Sequence, residues 1–189
     1  MPVLEPEHPA AAGRAVPVRE SANVNALVFW PTVVGVLLAD VLTKAIAVYA
    51  LQPRGFPHPL VGEWVRLTLV YNPGAAFGLS VGAWSRGFFI ALTCVAVPVL
   101  WRLYRATRPF DNARTFALSL VMAGALGNVI DRLRSADGVV DFIDIGVGAW
   151  RWPTFNVADI AVTGGALLLA VVLWREDGQA AAAERVPDA

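Results

Sequence analysis

Two aspartates in a strongly apolar chain are the residues best placed to do chemistry. Asp141 stands in the run VVDF, and Asp159 ends the run FNVAD. Each lies where a long apolar stretch meets a short polar one. A carboxylate at the edge of a bilayer is costly to keep, which indicates a function and a nearby partner. Two carboxylates that converge could divide between them the acid and base roles that activate water.

The composition indicates a membrane protein. The chain has 189 residues, of which 57% are apolar, and its mean hydropathy is +0.56. Soluble domains are nearer 45–50% apolar. A formal net charge of zero argues against a nucleic-acid partner. The single cysteine, Cys94, excludes an intramolecular disulfide, so its chemistry is compatible with either side of a membrane.

Four segments are predicted to span the membrane, because a spanning helix needs roughly 20 mainly apolar residues. They cover about 25–49, 84–104, 114–132 and 156–174. We therefore expect three parts: an N-terminal extension over 1–24, a four-helix membrane domain over 25–174, and a tail over 175–189. The extension and the tail are polar and rich in alanine, with proline in the extension, and are predicted to be disordered.

The arginines predict the orientation. The link between the second and third spans carries the densest basic cluster, which consists of Arg102, Arg105, Arg108 and Arg114. Because basic loops remain in the cytoplasm, this link and both termini are predicted to be cytoplasmic. The loops 50–83 and 133–155 then lie outside. Segments 63–71 and 139–145 of these loops are rich in β-forming residues and predict a short sheet there.

This topology brings the unusual polar residues to one side of the membrane. Antiparallel spans place the end of the first, the end of the third and the start of the fourth at the outer face. The polar residues at these ends are Asp40, Lys44, Asn128, Asp131, Arg132, Asn156 and Asp159. Asn72 and Asp141 lie in the adjoining loops. A single site at the outer membrane surface is the economical explanation.

Several of these polar residues also have a structural interpretation. Asp40 and Lys44 are four residues apart, which favours an intramembrane ion pair that supports the site. Asp131 is either a structural partner or a direct participant. Asp159 could also serve as an acid at a helix N-terminus. Asp144 is interpreted as a charge at the rim.

At this point the chain resembles the bacterial lipoprotein signal peptidases, or signal peptidase II. The resemblance covers about 39–165 and depends on five motifs in the order of the family. They are DVLTK (40–44), NPGAAF (72–77), GALGNVIDR (124–132), VVDF (139–142) and FNVAD (155–159). It implies four transmembrane helices with a small extracytoplasmic β-cradle and a short helix over the active site.

The resemblance also implies an activity. Such enzymes are aspartic endopeptidases that cut a prolipoprotein just before a diacylglyceryl-modified cysteine. The family's catalytic pair corresponds to Asp141 and Asp159, and its substrate-binding residues correspond to Asn72, Asn128, Arg132 and Asn156. No metal or other cofactor is implied. The expected partners are lipid-modified prolipoproteins and membrane lipids. The protein is expected to be a monomer in the bacterial cell membrane, with its site on the extracytoplasmic face.

Other functions are less compatible with the residues present. A membrane zinc protease needs histidine pairs at helical spacing, and a membrane serine protease needs a histidine within the spans. The chain has only His8 and His58, both outside them. A binding or assembly module is disfavoured, because it has no need of paired carboxylates. The main alternative is a small proton-coupled transporter component, with the carboxylates as a relay. Against it, the acids gather at one face and do not line a path across the membrane.

Overall fold

Four long helices form the body of the molecule. The computed structural model describes the backbone of residues 18–76, 79–80 and 82–183, with the side chains of 24–74, 82 and 84–179. The helices are α1 (Val18–Ala50), α2 (Ser85–Ala106), α3 (Asn112–Arg134) and α4 (Val157–Ala183).

Each helix is long and apolar enough to cross a membrane, over Val24–Ala50, Ser85–Ala106, Asn112–Arg134 and Val157–Gln179. The predicted four-span architecture is confirmed, with ends that differ from the prediction by one to five residues. Helical structure also reaches into both segments that were predicted to be disordered, because α1 begins at Val18 and α4 continues to Ala183. Residues 1–17 and 184–189 lie outside the described part of the chain.

Helix α3 packs against each of the other three helices, and glycines make its close approach to α4 and to α1 possible. A Cβ atom added at Gly124 would lie 2.3 Å from the Ala158 carbonyl oxygen. One added at Gly127 would lie 2.5 Å from Asp40 Oδ2. Small residues let helix backbones approach closely in a membrane, where the hydrophobic effect does not drive helices together.

A small antiparallel sheet lies at one end of the helices. Its strands follow the order β1 (Pro57–Val61), β2 (Val65–Asn72), β5 (Val139–Val147) and β6 (Trp150–Arg151). A separate short hairpin consists of β3 (Ala75–Ala76) and β4 (Leu79–Ser80). This sheet confirms the predicted β-cradle, and its two long strands, β2 and β5, fall within two residues of the predicted segments. A three-residue 3-10 helix, Gly82–Trp84, leads into α2; the short helix expected over the active site stays a prediction.

The sheet is attached to the helices by an apolar cluster. Its buried members are Ala47, Leu51, Leu69, Val140 and Phe142. These residues come from the end of α1, from β2 and from β5, so they fix β5 above the ends of the spans. A second cluster around Phe29, Leu118 and Met122 fills the space between the helices further along the bundle.

Candidate active site

Asp141 is the buried acid of the sheet. It lies on β5 opposite Val70 of β2, and only 2% of its surface is exposed. Both of its carboxylate oxygens accept a hydrogen bond from an amide. Asn156 donates from Nδ2 to Oδ1 at 2.7 Å, and Asn72 donates from Nδ2 to Oδ2 at 3.1 Å. Strand pairing places Asn72 next to this acid, since Asn72 is opposite Val139 in the same ladder.

Asp159 lies in the first turn of α4 and forms a capping box with Asn156. Its backbone N–H donates to Asn156 Oδ1 at 2.9 Å, and the Asn156 N–H donates back to Asp159 Oδ2 at 3.2 Å. The exchange satisfies two N–H groups that a helix start leaves without an internal partner. Asn128 of α3 donates from Nδ2 to Asp159 Oδ1 at 2.8 Å. Each oxygen of Asp159 therefore also accepts one hydrogen bond.

Asn156 connects the two acids directly. Its side chain donates to Asp141, while its backbone donates to Asp159. The residue is completely buried, so it has no water to replace these partners. Its oxygen must accept the Asp159 N–H, and this requirement turns the NH₂ group toward Asp141.

The electrostatics favour a proton on Asp141. The pKa of the Asp141 carboxyl is raised to about 7 from an ordinary 3.8. Burial is the largest cause, and the negative charge of Asp159 acts in the same direction. Hydrogen bonds from Asn72 and Asn156 and the positive charge of Lys44 act in the opposite direction. The two carboxyls therefore interact, and Asp141 can hold a proton near neutral pH.

Arg132 places a cation beside the acids without neutralising them through a hydrogen bond. It is 7% exposed, and its guanidinium lies 4.8 Å from the centre of the Phe89 ring. Nη1 donates to the Asn128 carbonyl at 3.3 Å. Its buried Nε has no hydrogen-bond partner among the residues whose side chains are described. A buried donor without a partner is costly, and a hydrogen bond to a ligand would remove that cost.

Three further charged residues of the site are joined by ion pairs: Asp40, Lys44 and Asp131. Lys44 Nζ of α1 is 2.8 Å from Asp40 Oδ2 and 2.8 Å from Asp131 Oδ2. It also donates to Asn128 Oδ1 at 3.1 Å. The ion pair expected at the four-residue spacing of Asp40 and Lys44 is thus present, and Asp131 of α3 completes it.

The structure brings the nine residues singled out from the sequence into one connected group. They are Asn72, Asn128, Arg132, Asn156, Asp40, Lys44, Asp131, Asp141 and Asp159. Two features of this group were missed. The Arg86 side chain of α2 donates from Nε to the Arg132 carbonyl at 2.7 Å. Gly127 has the Asp40 carboxylate where a Cβ would be. In the sequence, a glycine inside an apolar helix was the signal that could have indicated the close contact of Gly127 with Asp40.

The interpretation of Asp144 as a rim charge is wrong. Asp144 is only 8% exposed. Arg151 donates from Nε to its Oδ1 at 2.8 Å, and the Thr68 hydroxyl donates to its Oδ2 at 3.1 Å. A buried carboxylate with a charged partner and a hydroxyl is stable in this position. These contacts join β5 to β2 and β6, away from the nine-residue group.

Fold and site together define a four-span membrane protein with two carboxyls, one buried and one half-buried, linked at one end of its helices. Comparison with known proteins assigns it to a family. Residues 32–175 match the model of the signal peptidase II family. The chain therefore belongs to the signal peptidase II family.

Individual relatives agree with this assignment. The chain is 48% identical over 138 residues to the lipoprotein signal peptidase of Burkholderia mallei, which covers 71% of this chain and 80% of that protein. It is 42% identical over 144 residues to the lipoprotein signal peptidase of Polynucleobacter necessarius, covering 75% and 83%. A bacterial membrane enzyme solved in meso at 2.3 Å resolution superposes with a TM-score of 0.71 at 28% identity, covering 88% and 94%. A second, solved at 1.9 Å, gives 0.67 at 30% identity, covering 80% and 92%.

Proposed function

We propose that the protein is a membrane aspartic endopeptidase that removes signal peptides from prolipoproteins, and that Asp141 and Asp159 are its catalytic pair. The single observation that carries the catalytic assignment is the link between the two carboxyls through Asn156. The pKa of about 7 at Asp141 is consistent with a shared proton. The relatives named lipoprotein signal peptidases support the substrate class. The family assignment gives no support to the proton-coupled transporter.

The two acids take different parts in the reaction. The ionised Asp159 accepts a proton from the attacking water, and the protonated Asp141 donates a hydrogen bond to the scissile carbonyl. Water adds to the carbonyl carbon and forms a tetrahedral intermediate. The leaving amine then takes a proton from the pair as the C–N bond breaks, so the acids exchange roles during one turnover.

The surrounding amides and Arg132 bind the substrate. Asn72, Asn128 and Asn156 cannot act as bases, so they can fix a peptide without competing for the proton. The buried Nε of Arg132 donates to a carbonyl of the bound peptide or to the developing oxyanion. Three observations support this role: Nε has no recorded partner, Arg132 is buried, and it lies one helical turn after Asn128.

The proposed cleavage is metal-independent. One amide N–H donates to each carboxylate oxygen of Asp141 and Asp159, and these hydrogen bonds orient the two acids for proton transfer. Among the described residues, no group of three or more His, Cys, Asp or Glu side chains could hold an ion.

The location of the site within the membrane fits a lipid-modified substrate. We propose that the cut falls just before the diacylglyceryl-modified cysteine, whose acyl chains remain in lipid beside the helices. The basic link between α2 and α3 supports a cytoplasmic position for that loop and for both termini. The sheet and the acids then lie on the extracytoplasmic face of the bacterial cell membrane. We propose that the enzyme acts as a monomer.

Cleavage assays on variants of the two acids test this assignment. D141N and D159N should each reduce cleavage of a lipidated prolipoprotein in detergent by about 100- to 10,000-fold, the usual effect of losing a catalytic acid or base. D137N is the matched control, because Asp137 is half exposed and, among the residues whose side chains are described, its ion pair is with Arg54. It should cleave at the wild-type rate. Cleavage by either D141N or D159N near that of D137N would exclude the dyad.

A further inference from the structure

Lys44 holds an unusual position for a charged residue. It is 3% exposed within a membrane span, and all three recorded partners of its ammonium belong to the site. Two are the carboxylates of Asp40 and Asp131, and the third is the side-chain oxygen of Asn128. The ammonium is therefore held by two ion pairs and one hydrogen bond.

The two carboxylates on Lys44 each accept one further hydrogen bond from the backbone. Asp40 Oδ1 accepts the N–H of Ala158 at 2.8 Å. Asp131 Oδ2 accepts the N–H of Val140 at 3.2 Å. Ala158 is the residue immediately before Asp159, and Val140 is the residue immediately before Asp141. The backbone N–H of the residue before each proposed catalytic acid is therefore held by a carboxylate paired with the same lysine.

Lys44 also fixes the orientation of Asn128. A lysine ammonium can only donate, so the side-chain oxygen of Asn128 must face it. The NH₂ group of Asn128 consequently faces Asp159 and donates to Oδ1. With the amide turned the other way, its oxygen would face that carboxylate and its NH₂ would face the lysine.

We infer that Lys44, through Asp40, Asp131 and Asn128, is a positioning residue that sets the placement of the two catalytic carboxyls relative to each other. This inference rests on the proposed function, because it needs Asp141 and Asp159 to be the reacting acids. Helix α1 carries Lys44 and Asp40, so it contributes to catalysis without touching the substrate.

Stability alone is a weak explanation for this arrangement. Removing charges from water is expensive, and buried ion pairs can often be replaced by apolar residues without loss of stability. Here a buried lysine is held between two carboxyls, next to the residues that hold two further acids. The charged groups around Lys44 are Asp40 on α1, Asp131 and Arg132 on α3, Asp159 on α4 and Asp141 on β5. A need for precise placement of the catalytic groups explains why the free-energy cost of burying these groups is tolerated, since a displacement of about 1 Å can reduce a rate 100-fold.

The test compares K44M with R114M in the full-length enzyme. Arg114 is a matched control because it also lies between two carboxylates, Asp111 at 3.5 Å and Glu176, but at the opposite end of α3. K44M should reduce kcat by about 100-fold and change KM by less than about threefold. R114M should leave both constants near those of the wild type.

The pH profile of cleavage provides a second measurement, which would not change if Lys44 had a purely structural role. Loss of the positive charge near Asp141 should shift the alkaline limit of activity to higher pH in K44M, since the charge of Lys44 lowers the pKa of Asp141. K44R keeps that charge, so its profile should match the wild type, although its planar guanidinium cannot reproduce the three contacts and kcat falls. Thermal unfolding in detergent shows which variants are folded.

Should K44M not fold, the same measurements are made on D131N, which keeps an oxygen for the Val140 N–H but lacks the charge that holds Lys44. A folded K44M or D131N with wild-type kcat and pH profile would overturn the inference. Loss of folding in K44M, D131N and K44R together would also overturn it, because the group would then support the fold only. Full cleavage by D141N would instead overturn the proposed function, so the two failures are distinguishable.

Discussion

Asn156 and Asp159 exchange two hydrogen bonds across the first turn of α4, and the same asparagine also reaches the carboxylate of Asp141. One residue thus begins a helix and joins the two acids of the site. Because the same residue caps the helix and joins the acids, the start of α4 cannot move without moving Asp159 relative to Asp141.

This double role can be divided by two substitutions of Asn156. N156S keeps an oxygen that can cap the helix, whereas N156A removes the cap and should lower stability by about 1 kcal/mol. Neither variant has the amide N–H that donates to Asp141. A buried oxygen left without its donor costs about 1–3 kcal/mol, so kcat should fall by about 10- to 100-fold in both. Thermal unfolding and cleavage rates measured together check this, and N156S with wild-type activity would show that the bridge is dispensable.

The pKa of Asp141 predicts how stability depends on pH. Because it is about 7 in the folded protein and near 3.8 when unfolded, the folded state binds a proton that the unfolded state has lost. The stabilisation is complete below the unfolded pKa and disappears as the pH rises through about 7. D141N cannot titrate, so its unfolding temperature should rise relative to the wild type between about pH 4 and pH 8. A constant difference across this range would contradict the prediction.

The same pKa predicts an alkaline limit for activity. The proposed reaction needs one proton on the pair, so cleavage should decline as Asp141 loses it near pH 7 and above. The rate of cleavage measured from acidic to alkaline pH, with the lipidated substrate in constant detergent, gives this limb. A rate that is independent of pH up to about pH 9 would show that a proton on the pair is not needed.

Close packing of α3 on α4 predicts a sharp contrast between two glycines. A Cβ at Gly124 would meet the Ala158 carbonyl oxygen at 2.3 Å, and that oxygen belongs to the backbone beside Asp159. G124A should therefore destabilise the protein by about 1–3 kcal/mol and reduce cleavage, because α4 must move. At Gly87 of α2 nothing lies within 4 Å, so G87A should be neutral or slightly stabilising. Equal unfolding temperatures for the two variants would argue against this packing.

Metal removal gives a further expected outcome. Since the proposed chemistry uses a proton shared by two carboxyls, the purified enzyme should keep its full activity after treatment with a chelator and dialysis. Activity that disappears and returns with an added divalent ion would show that the carboxylates bind a metal. A zinc protease treated in the same way is the positive control for the chelation.

The sequence by itself determined the four-span architecture and which polar residues lie at the site. Four apolar stretches of sufficient length require membrane spans, because an unpaired backbone cannot cross lipid. Antiparallel order then sorts the polar residues to one face, so Asp141 and Asp159 could be recognised together with Asn128, Asn156 and Arg132. These properties are local or depend only on the number of spans, and the chain carries them without any knowledge of packing.

Only the tertiary structure decided how the polar groups are paired. Asp40 and the Ala158 N–H that it accepts are 118 residues apart in the chain, and Lys44 and Asn128 are 84 apart. Nothing in the sequence specifies which oxygen meets which donor at such separations, because that depends on helix rotation and on the close approach permitted by glycines such as Gly127. For the same reason the burial of Asp144 could not be predicted, since its partner Arg151 reaches it only after β5 and β6 have paired.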